Sequence, residues 1–244
     1  MKNSKEIDIA QKLIRCKSIA PKDGGTLRIV EKECKAMGFK CTKLRFSEKG
    51  FDTINNLYAE IGNGKPHFSF AGHVDIVPAD KKEWKVDPFE GKIKNNFLIG
   101  RGACDMKSAI ACFLSAAKNY LGENKNFKGK ISIIITGDEE TYAVNGTKKI
   151  LIWLKKKKIK IDNCLVGEPT NLKVLGDQIK IGRRGGFNGT VEVQGKAGHS
   201  AWPSRTINPI PALMKMNPSS VRQKKLWNVF CVRVWTSLQL AIFS

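Results

Sequence analysis

Carboxylates and histidines are scarce in this chain, yet several of them stand directly after short apolar runs. The 244 residues include 22 Asp and Glu and 3 His, against 43 Lys and Arg. Imidazole and carboxylate groups are the ligands that divalent cations such as zinc take from proteins, and paired carboxylates can bridge two ions. The sequence therefore predicts a metal centre. Its candidate residues are His73, Asp75, Asp105, Asp138, Glu139, Glu140 and Glu168.

Two of these clusters have a spacing that would divide ligand and proton-transfer roles. In His73-Val74-Asp75 the side chains at i and i+2 share one strand face, so the imidazole can ligate while the carboxylate orients it. In Glu139-Glu140 the side chains point apart, which suits one ligand and one general base. Each cluster alone has a plainer interpretation, a surface turn for the first and an acidic first helical turn for the second. Their combination is what indicates a metal site.

The elements that would position these residues follow from the apolar periodicity. Apolar residues at helical spacing predict two helices at the start of the chain, the second ending before Gly38. Alternating strand-like and helix-like segments then predict an α/β fold, a mostly parallel-stranded sheet with helices on both faces. The strand-like runs are 56–61, 68–71, 131–136 and 163–166, and the helix-like segments are 107–120 and 147–154. Because sites in such sheets lie at the carboxyl ends of strands, the polar clusters should converge there.

Composition and charge narrow the class of protein. The formal net charge is +21 and 41% of the residues are apolar, which is typical of a globular chain with an unusual charge. No apolar run approaches the ~20 residues that a bilayer requires, and residues 1–8 lack a signal-like core, so we expect a cytoplasmic protein without membrane contact. Lysines are scattered, and the run 155–158 follows a helix-like stretch, which favours a solvated face over nucleic-acid binding.

The seven cysteines are expected to be reduced and mostly buried, because they are odd in number and form no C-x-x-C pair. Cys104 should be a packing residue, and His67 an ordinary polar residue at the start of its strand.

Ordered motifs along the chain resemble the M20 family of dinuclear zinc amidohydrolases. They extend over roughly residues 5–214 and lie at 70–78, 100–107, 136–140, 166–170, 182–185 and 198–199. The resemblance implies a zinc aminopeptidase-like catalytic domain at 1–178, the start of an α+β lid and dimerisation domain at 179–214, and a homodimer.

The resemblance also implies two divalent metal ions, zinc or else cobalt, and a role for each matching residue. The implied metal ligands are His73, Asp105 as the bridge, Glu140 and Glu168. Asp75 would tune His73, and Glu139 would be the general base that takes a proton from the attacking water and returns it to the leaving amine. His199 would stabilise the oxyanion across the dimer, while Arg183 and Trp202 would bind substrate.

The implied substrate is a small anionic N-acyl amino acid. The motifs at 176–180 and 182–185 favour hydrolysis of N-succinyl-LL-2,6-diaminopimelate, a step of lysine and diaminopimelate biosynthesis, over the similar acetylornithine deacetylases. An alternative from another class is a non-catalytic remnant that binds polyanions through its positive charge.

The chain departs from the family pattern after residue 214. No histidine follows His199, so the fifth protein zinc ligand of the family is absent from this chain. Residues 215–244 contain five basic and no acidic residues, which is atypical of the family. This tail is interpreted either as the result of a frame change or chain interruption, or as a genuine basic arm. We expect such a chain to have weak or no activity and poor stability.

Overall fold

The computed structural model describes residues 4–182, 187–189, 193–197, 199, 201–214 and 238–240. The chain divides by its internal contacts into two compact units, Met1–Thr170 and Asn171–Ser244, which are described separately. The domain boundary predicted near residue 179 stays a prediction. Among the described residues, no helix combines the length and the apolar character needed to span a bilayer.

A five-stranded sheet forms the centre of the first unit. Its strand order is β1-β2-β6-β3-β7. Strands β1 and β2 are antiparallel, as are β2 and β6, whereas β3 runs parallel to both β6 and β7. Four of the five strands therefore point the same way, and the predicted α/β fold with a mostly parallel sheet is confirmed. The strands are β1 (Lys40–Glu48), β2 (Phe51–Gly62), β3 (His67–His73), β6 (Lys130–Thr136) and β7 (Asn163–Val166).

Three helices cover one face of the sheet. They are α1 (Lys5–Arg15), α2 (Thr26–Ala36) and α3 (Ser108–Glu123). Each buries an apolar stripe at helical spacing, such as Ile9 and Leu13 of α1 or Ile110 and Leu114 of α3, against residues of the central strands. Helix α2 ends at Ala36, just before Gly38 with φ +87°, a conformation that favours glycine at the end of a helix.

The opposite face packs against α4 (Thr147–Lys156). Ile150 and Leu154 of this helix join Leu44, Tyr58 and Ile134 in a second apolar cluster. Helices therefore lie on both faces of the sheet, as the alternation of strand and helix predicts.

The direction of the two parallel crossovers explains why one edge of the sheet gathers the polar residues. Helix α3 connects β3 to β6 on one side, and α4 connects β6 back past β3 to β7. Because parallel crossovers are right-handed, this reversal puts the two helices on opposite faces and leaves a crevice at the carboxyl ends of the strands.

Some elements were not anticipated from the sequence. Besides β1, these are a hairpin of β4 (Lys92–Lys94) and β5 (Phe97–Ile99). Its two-residue loop is Asn95-Asn96, and both residues have positive φ, 51° and 64°. That backbone is typical of a type I′ hairpin turn, in which asparagine is favoured.

The second unit contains short elements. These are β8 (Phe187–Gly189) paired with β9 (Leu238–Leu240), a 3₁₀ turn at Pro203–Arg205 and α5 (Ile210–Met214). Alternating polar and apolar residues at 190–194 predict a further strand, but most of this segment falls outside the described residues, and Val193 and Gln194 are not in a strand. The predicted tail 215–244 also lies outside them, except for β9.

The expectation that the cysteines are mostly buried is wrong for those that the structure describes. Only Cys34 is buried, Cys16 and Cys41 are partly buried, and Cys104, Cys112 and Cys164 are exposed. Cys104, which directly precedes Asp105, is exposed, so its expected packing role is wrong as well. Cys164 lies on β7, the edge strand, where both strand faces are open.

Candidate metal centre

His73 is the last residue of β3 and is buried at the carboxyl edge of the sheet. Its Nδ1–H donates to the backbone carbonyl of Asp75 at 2.9 Å. Since a carbonyl can only accept, this bond assigns the hydrogen to Nδ1 and turns Nε2 toward the carboxylates. Nε2 lies 2.9 Å from Oδ1 of Asp105 and 3.7 Å from Oε1 of Glu168.

Two groups of candidate metal ligands share this imidazole. His73, Asp105 and Glu168 form one group, and His73, Glu139 and Glu140 form the other. Within each group, the ligand atoms lie within 4.8 Å of one another. The carboxyl ends of β3, β6 and β7 and the segment before α3 thus bring together the acids that the sequence placed after separate apolar runs.

The carboxylate of Asp75 joins the His73 segment to the Glu139-Glu140 pair. Its Oδ2 accepts the backbone N–H of Glu139 at 2.9 Å and of Glu140 at 2.8 Å. Its Oδ1 lies 3.5 Å from Nδ1 of His73, and the described residues offer this buried oxygen no hydrogen-bond partner. Asp75 therefore fixes the backbone that carries both glutamates as well as facing the histidine ring.

Asp105 is presented by an irregular turn. Residues Ala103–Lys107 form a single π-helical turn before α3, but Asp105 (φ −119°, ψ 97°) and Met106 (φ −133°, ψ 28°) leave helical geometry, and the peptide bond between them is cis. Met106 is fully buried in a notch that two glycines leave open, because a Cβ at Gly72 or Gly167 would lie 2.6 Å or 2.8 Å from its Cε.

The loop after β6 that carries Glu139 and Glu140 is held by a buried polar network. Asp138 accepts hydrogen bonds from Thr141 Oγ1 and from the backbone N–H groups of Ala143 and Asn145. Asn56 on β2 accepts from Thr136 Oγ1 at 2.9 Å and donates to the carbonyl of Asn145 at 3.0 Å. Asp138, which the sequence placed among the candidate ligands, acts in this geometry as an anchor of the loop.

The electrostatics of the cluster fit a divalent cation. Burial lowers the pKa of His73, but the close contacts of its ring with the carboxylates of Asp75 and Asp105 and the negative charges of Asp75 and Glu168 outweigh it and raise the pKa to about 10. Burial and the charges of Asp105 and Glu139 raise the pKa of Glu168 to about 7 against the attraction of His73. Burial and Asp105 also raise the pKa of Glu140. One imidazole among crowded carboxylates is an excess of negative charge and a nitrogen–oxygen donor set that suits zinc-like ions.

Two residues that support this site were missed by the sequence analysis. Lys107 is fully buried, and burial lowers its pKa to about 8. A signal for it existed, because Lys107 shares the buried stripe of Ile110, Ala111 and Leu114 at helical spacing. Ser18 is also fully buried and donates to the carbonyl of Val74 at 2.5 Å, but nothing in its sequence context indicates this contact.

The remaining predicted site residues lie elsewhere. His199 and Trp202 are exposed residues of the second unit, where His199 Nδ1 accepts the N–H of Ala201 at 3.2 Å and Arg205 stacks over the Trp202 ring at 5.0 Å. Arg183 lies outside the described residues. His67, expected to be an ordinary polar residue, is buried at the opposite end of β3 and bonds the carbonyl of Lys160 and Ser132 Oγ.

An α/β sheet whose carboxyl edge gathers a buried histidine and carboxylates in two overlapping groups defines a protein of the metallopeptidase type. The chain belongs to peptidase family M20/M25/M40, whose family model matches residues 69–230.

Named relatives agree with this assignment. The chain is 50% identical over 211 residues to a succinyl-diaminopimelate desuccinylase of Beijerinckia indica and 51% identical over 212 residues to one of Pelagibacter ubique. Each match covers 86% of this chain and 55% of the relative, so the chain spans about half the length of the curated relatives it matches.

Solved structures share the fold. An M20 family metallo-carboxypeptidase from Sulfolobus solfataricus superposes with a TM-score of 0.57 at 25% identity, over 68% of this chain and 37% of its own. Human carnosine dipeptidase 1 superposes with a TM-score of 0.60 at 19% identity, over 66% of this chain and 38% of its own.

Proposed function

We propose that the protein hydrolyses the amide bond of a small anionic N-acyl amino acid with the help of two divalent metal ions. The observation that carries this proposal is the imidazole of His73, which is common to two groups of carboxylates with ligand atoms within 4.8 Å of one another. Zinc is the favoured ion, and cobalt is the alternative, because both accept mixed imidazole and carboxylate ligands.

The proposed ligand roles are those that the family resemblance implies. His73 and Glu168 would hold one ion, Glu140 would hold the other, and Asp105 would bridge them. Support comes from the 2.9 Å separation of His73 Nε2 and Asp105 Oδ1 and from the buried Asp75, which faces the other side of the imidazole. When bound, the ions would act as Lewis acids that lower the pKa of a water molecule and polarise the scissile carbonyl.

Glu139 would move the proton. Its neighbour Glu140 is assigned as a ligand. The ligand atoms of Glu139, Glu140 and His73 lie within 4.8 Å of one another, so the two glutamate carboxylates converge rather than point apart, and Glu139 lies beside the proposed metal site. Its carboxylate would accept a proton from the attacking water and deliver it to the leaving nitrogen. The two backbone hydrogen bonds to Asp75 would hold this carboxylate in place during both transfers.

The proposed substrate is N-succinyl-LL-2,6-diaminopimelate, which would yield succinate and LL-2,6-diaminopimelate in lysine biosynthesis. Support comes from the names of the relatives that share about half of their length with this chain at 50% and 51% identity. Arg183 and Trp202 would contact the anionic substrate, because a guanidinium fork fits a carboxylate. His199 would stabilise the oxyanion from a partner protomer in a homodimer, with residues 1–178 as the catalytic domain and 179–214 in the lid and dimerisation domain.

Metal analysis and substrate comparison test this proposal. The purified protein should retain zinc after dialysis, and the weak turnover expected of this chain should be faster with N-succinyl-diaminopimelate than with N-acetylornithine. Glu139→Gln should lower kcat by roughly 10²- to 10⁴-fold without losing zinc, because it removes only the proton acceptor. Glu83→Gln, at an exposed position, is the matched control and should leave kcat unchanged.

Turnover that survives both Glu139→Gln and a chelator would contradict the proposed chemistry. Absence of metal-dependent hydrolysis together with a steep loss of nucleic-acid affinity in added salt would instead favour a polyanion-binding remnant.

A further inference from the structure

The ammonium group of Lys107 lies inside the protein and binds the carboxyl end of a helix. Its side chain is fully buried, and its ammonium group donates to the carbonyl of Leu13 at 2.9 Å and of Cys16 at 2.8 Å. These carbonyls lie at the carboxyl end of α1, where the helix dipole favours a cation. Leu13 and Lys107 are 94 residues apart in sequence, so this bond joins two distant parts of the first unit.

Asp105 depends on its neighbours for its position. The Asp105 side chain is 51% exposed, so burial does not hold it, and its backbone lies outside helical geometry. The turn around it is closed on both sides by Lys107, whose backbone N–H donates to the carbonyl of Gly102 at 2.9 Å and whose ammonium is tied to α1. Movement of Lys107 would therefore be transmitted directly to the carboxylate two residues before it.

The same end of α1 also holds the segment that carries His73 and Asp75. Ser18 Oγ donates to the carbonyl of Val74 at 2.5 Å, and the N–H of Ile76 donates to the carbonyl of Ser18 at 3.0 Å. The N–H of Ser18 in turn donates to the carbonyl of Cys16, the oxygen that also accepts from Lys107. The end of α1 is thus a common support for the two segments whose side chains meet at His73 Nε2 and Asp105 Oδ1.

We propose that Lys107 is a positioning residue of the metal centre: by binding the carbonyls of Leu13 and Cys16, it fixes Asp105 at ligand distance from His73. This inference rests on the proposed metal-dependent function and adds to it a residue that contacts neither metal nor substrate. The proposed role of Lys107 is geometric. Removal of a geometric role and removal of a purely electrostatic role would change the zinc affinity in opposite directions. A cation near a metal site repels the metal, so loss of charge alone would tighten metal binding, whereas loss of positioning weakens it.

The test is zinc titration of Lys107→Met. Methionine keeps the apolar stem, and the two carbonyls stay partnered, because Leu13 still accepts the N–H of Cys16 and Cys16 still accepts the N–H of Ser18. The fold should therefore persist, and thermal melting of the metal-free variant checks this. We expect zinc affinity to fall about 10- to 100-fold, the usual effect of removing a group that orients a ligand. Lys107→Gln keeps a hydrogen-bond donor on a shorter side chain, so its zinc affinity should lie between those of the unaltered protein and Lys107→Met.

Two controls separate positioning from general damage. Lys130→Met removes another lysine ammonium, 3.1 Å from Glu60 at the opposite end of the sheet, and should leave zinc affinity unchanged. In an Asp105→Asn background, Lys107→Met should have no further effect on zinc affinity, because a residue that acts through Asp105 is coupled to it. A merely structural role would instead change melting without such coupling.

The outcomes are distinct for the inference and for the proposed function. Zinc affinity that is weaker in Lys107→Met, with coupling to Asp105, supports the positioning role. Equal or tighter zinc binding in that variant overturns the role and leaves the proposed metal centre intact. Failure of the unaltered protein to bind zinc overturns both.

Discussion

The proton on His73 occupies the direction that a metal ion would take. In the metal-free protein, Nδ1–H is bonded to the carbonyl of Asp75 and Nε2 faces Asp105 at 2.9 Å. The neighbouring carboxylates outweigh the effect of burial and raise the pKa of His73 to about 10, so the imidazole is protonated at neutral pH. A metal ion at Nε2 must displace that proton, because only the neutral ring can ligate.

We therefore predict that zinc binding releases a proton and tightens as pH rises. Below the His73 pKa of about 10, the zinc ion that His73 would hold competes with one imidazole proton, so its affinity should rise about tenfold per pH unit between about pH 7 and 9. Glu168, with its pKa raised to about 7, should add a second proton to the release on the acid side of neutrality. Calorimetry in buffers of different ionisation enthalpy measures the number of protons. Binding without proton release would show that His73 is not a ligand.

Sequence reasoning reached most of the residues in this cluster but not those that hold them in place. The pattern of polar residues directly after apolar runs predicts five of them, namely His73, Asp75, Glu139, Glu140 and Glu168. Lys107 shares the helical spacing of Ile110 and Leu114, which indicates its burial but not its partners. The partners of Lys107 lie 94 and 91 residues away and that of Ser18 lies 56 residues away, and no local pattern records such contacts.

At the level of elements, the loop from Gly137 to Gly146 determines where both glutamates stand. A Cβ at Gly146 would lie 2.5 Å from the carbonyl oxygen of Asp138 and would also collide with Thr136 Oγ1. Neither atom can yield easily, since one belongs to the backbone and the other donates to Asn56 within the sheet. The close approach at Gly146 is therefore part of what folds the loop back over β6.

We predict that Gly146→Ala destabilises the protein by about 1–3 kcal/mol, the usual cost of forcing atoms into a packed site. Gly122→Ala is the matched control, because Gly122 lies in α3 and a Cβ there meets nothing within 4 Å. That change should leave stability unchanged or raise it by about 0.5–1 kcal/mol, since alanine favours the helix. Chemical denaturation of the metal-free variants measures both. Equal stability of the two variants would mean that the loop adapts without the glycine.

The elements divide into those with a strong sequence signal and those without one. Strand β6 is an apolar run buried on both faces, β3 is largely buried, and α1 and α3 have clear apolar stripes, so their types follow from periodicity. Strand β1 has charged residues and only Leu44 buried, because it lies at the edge of the sheet. The β4–β5 hairpin is three residues a side, and its only local signal is the Asn95-Asn96 turn.

On the scale of the whole first unit, strand order creates the site. The three strands whose ends supply His73, Glu139, Glu140 and Glu168 are neighbours in the order β6-β3-β7, although β6 and β7 follow β3 by tens of residues along the chain. Alternation of strands and helices predicts a parallel sheet, but it does not give the order of the strands. The order is fixed by which apolar faces pack together in three dimensions. The sequence could therefore predict that the polar residues converge at one edge of the sheet. It could not predict that they form two ligand groups with His73 in common.

Anomalous diffraction at the zinc edge, from crystals grown with zinc, shows directly whether His73 and the carboxylates around it form a two-ion metal centre. We predict two zinc ions about 3.5–4 Å apart in the crevice. One should lie about 2.0–2.2 Å from His73 Nε2, with Asp105 between the two ions and carboxylate oxygens of Glu140 and Glu168 at similar distances. Zinc bound only away from His73, or a crevice without zinc in crystals that hold zinc at other sites, would show that these residues do not form a metal centre.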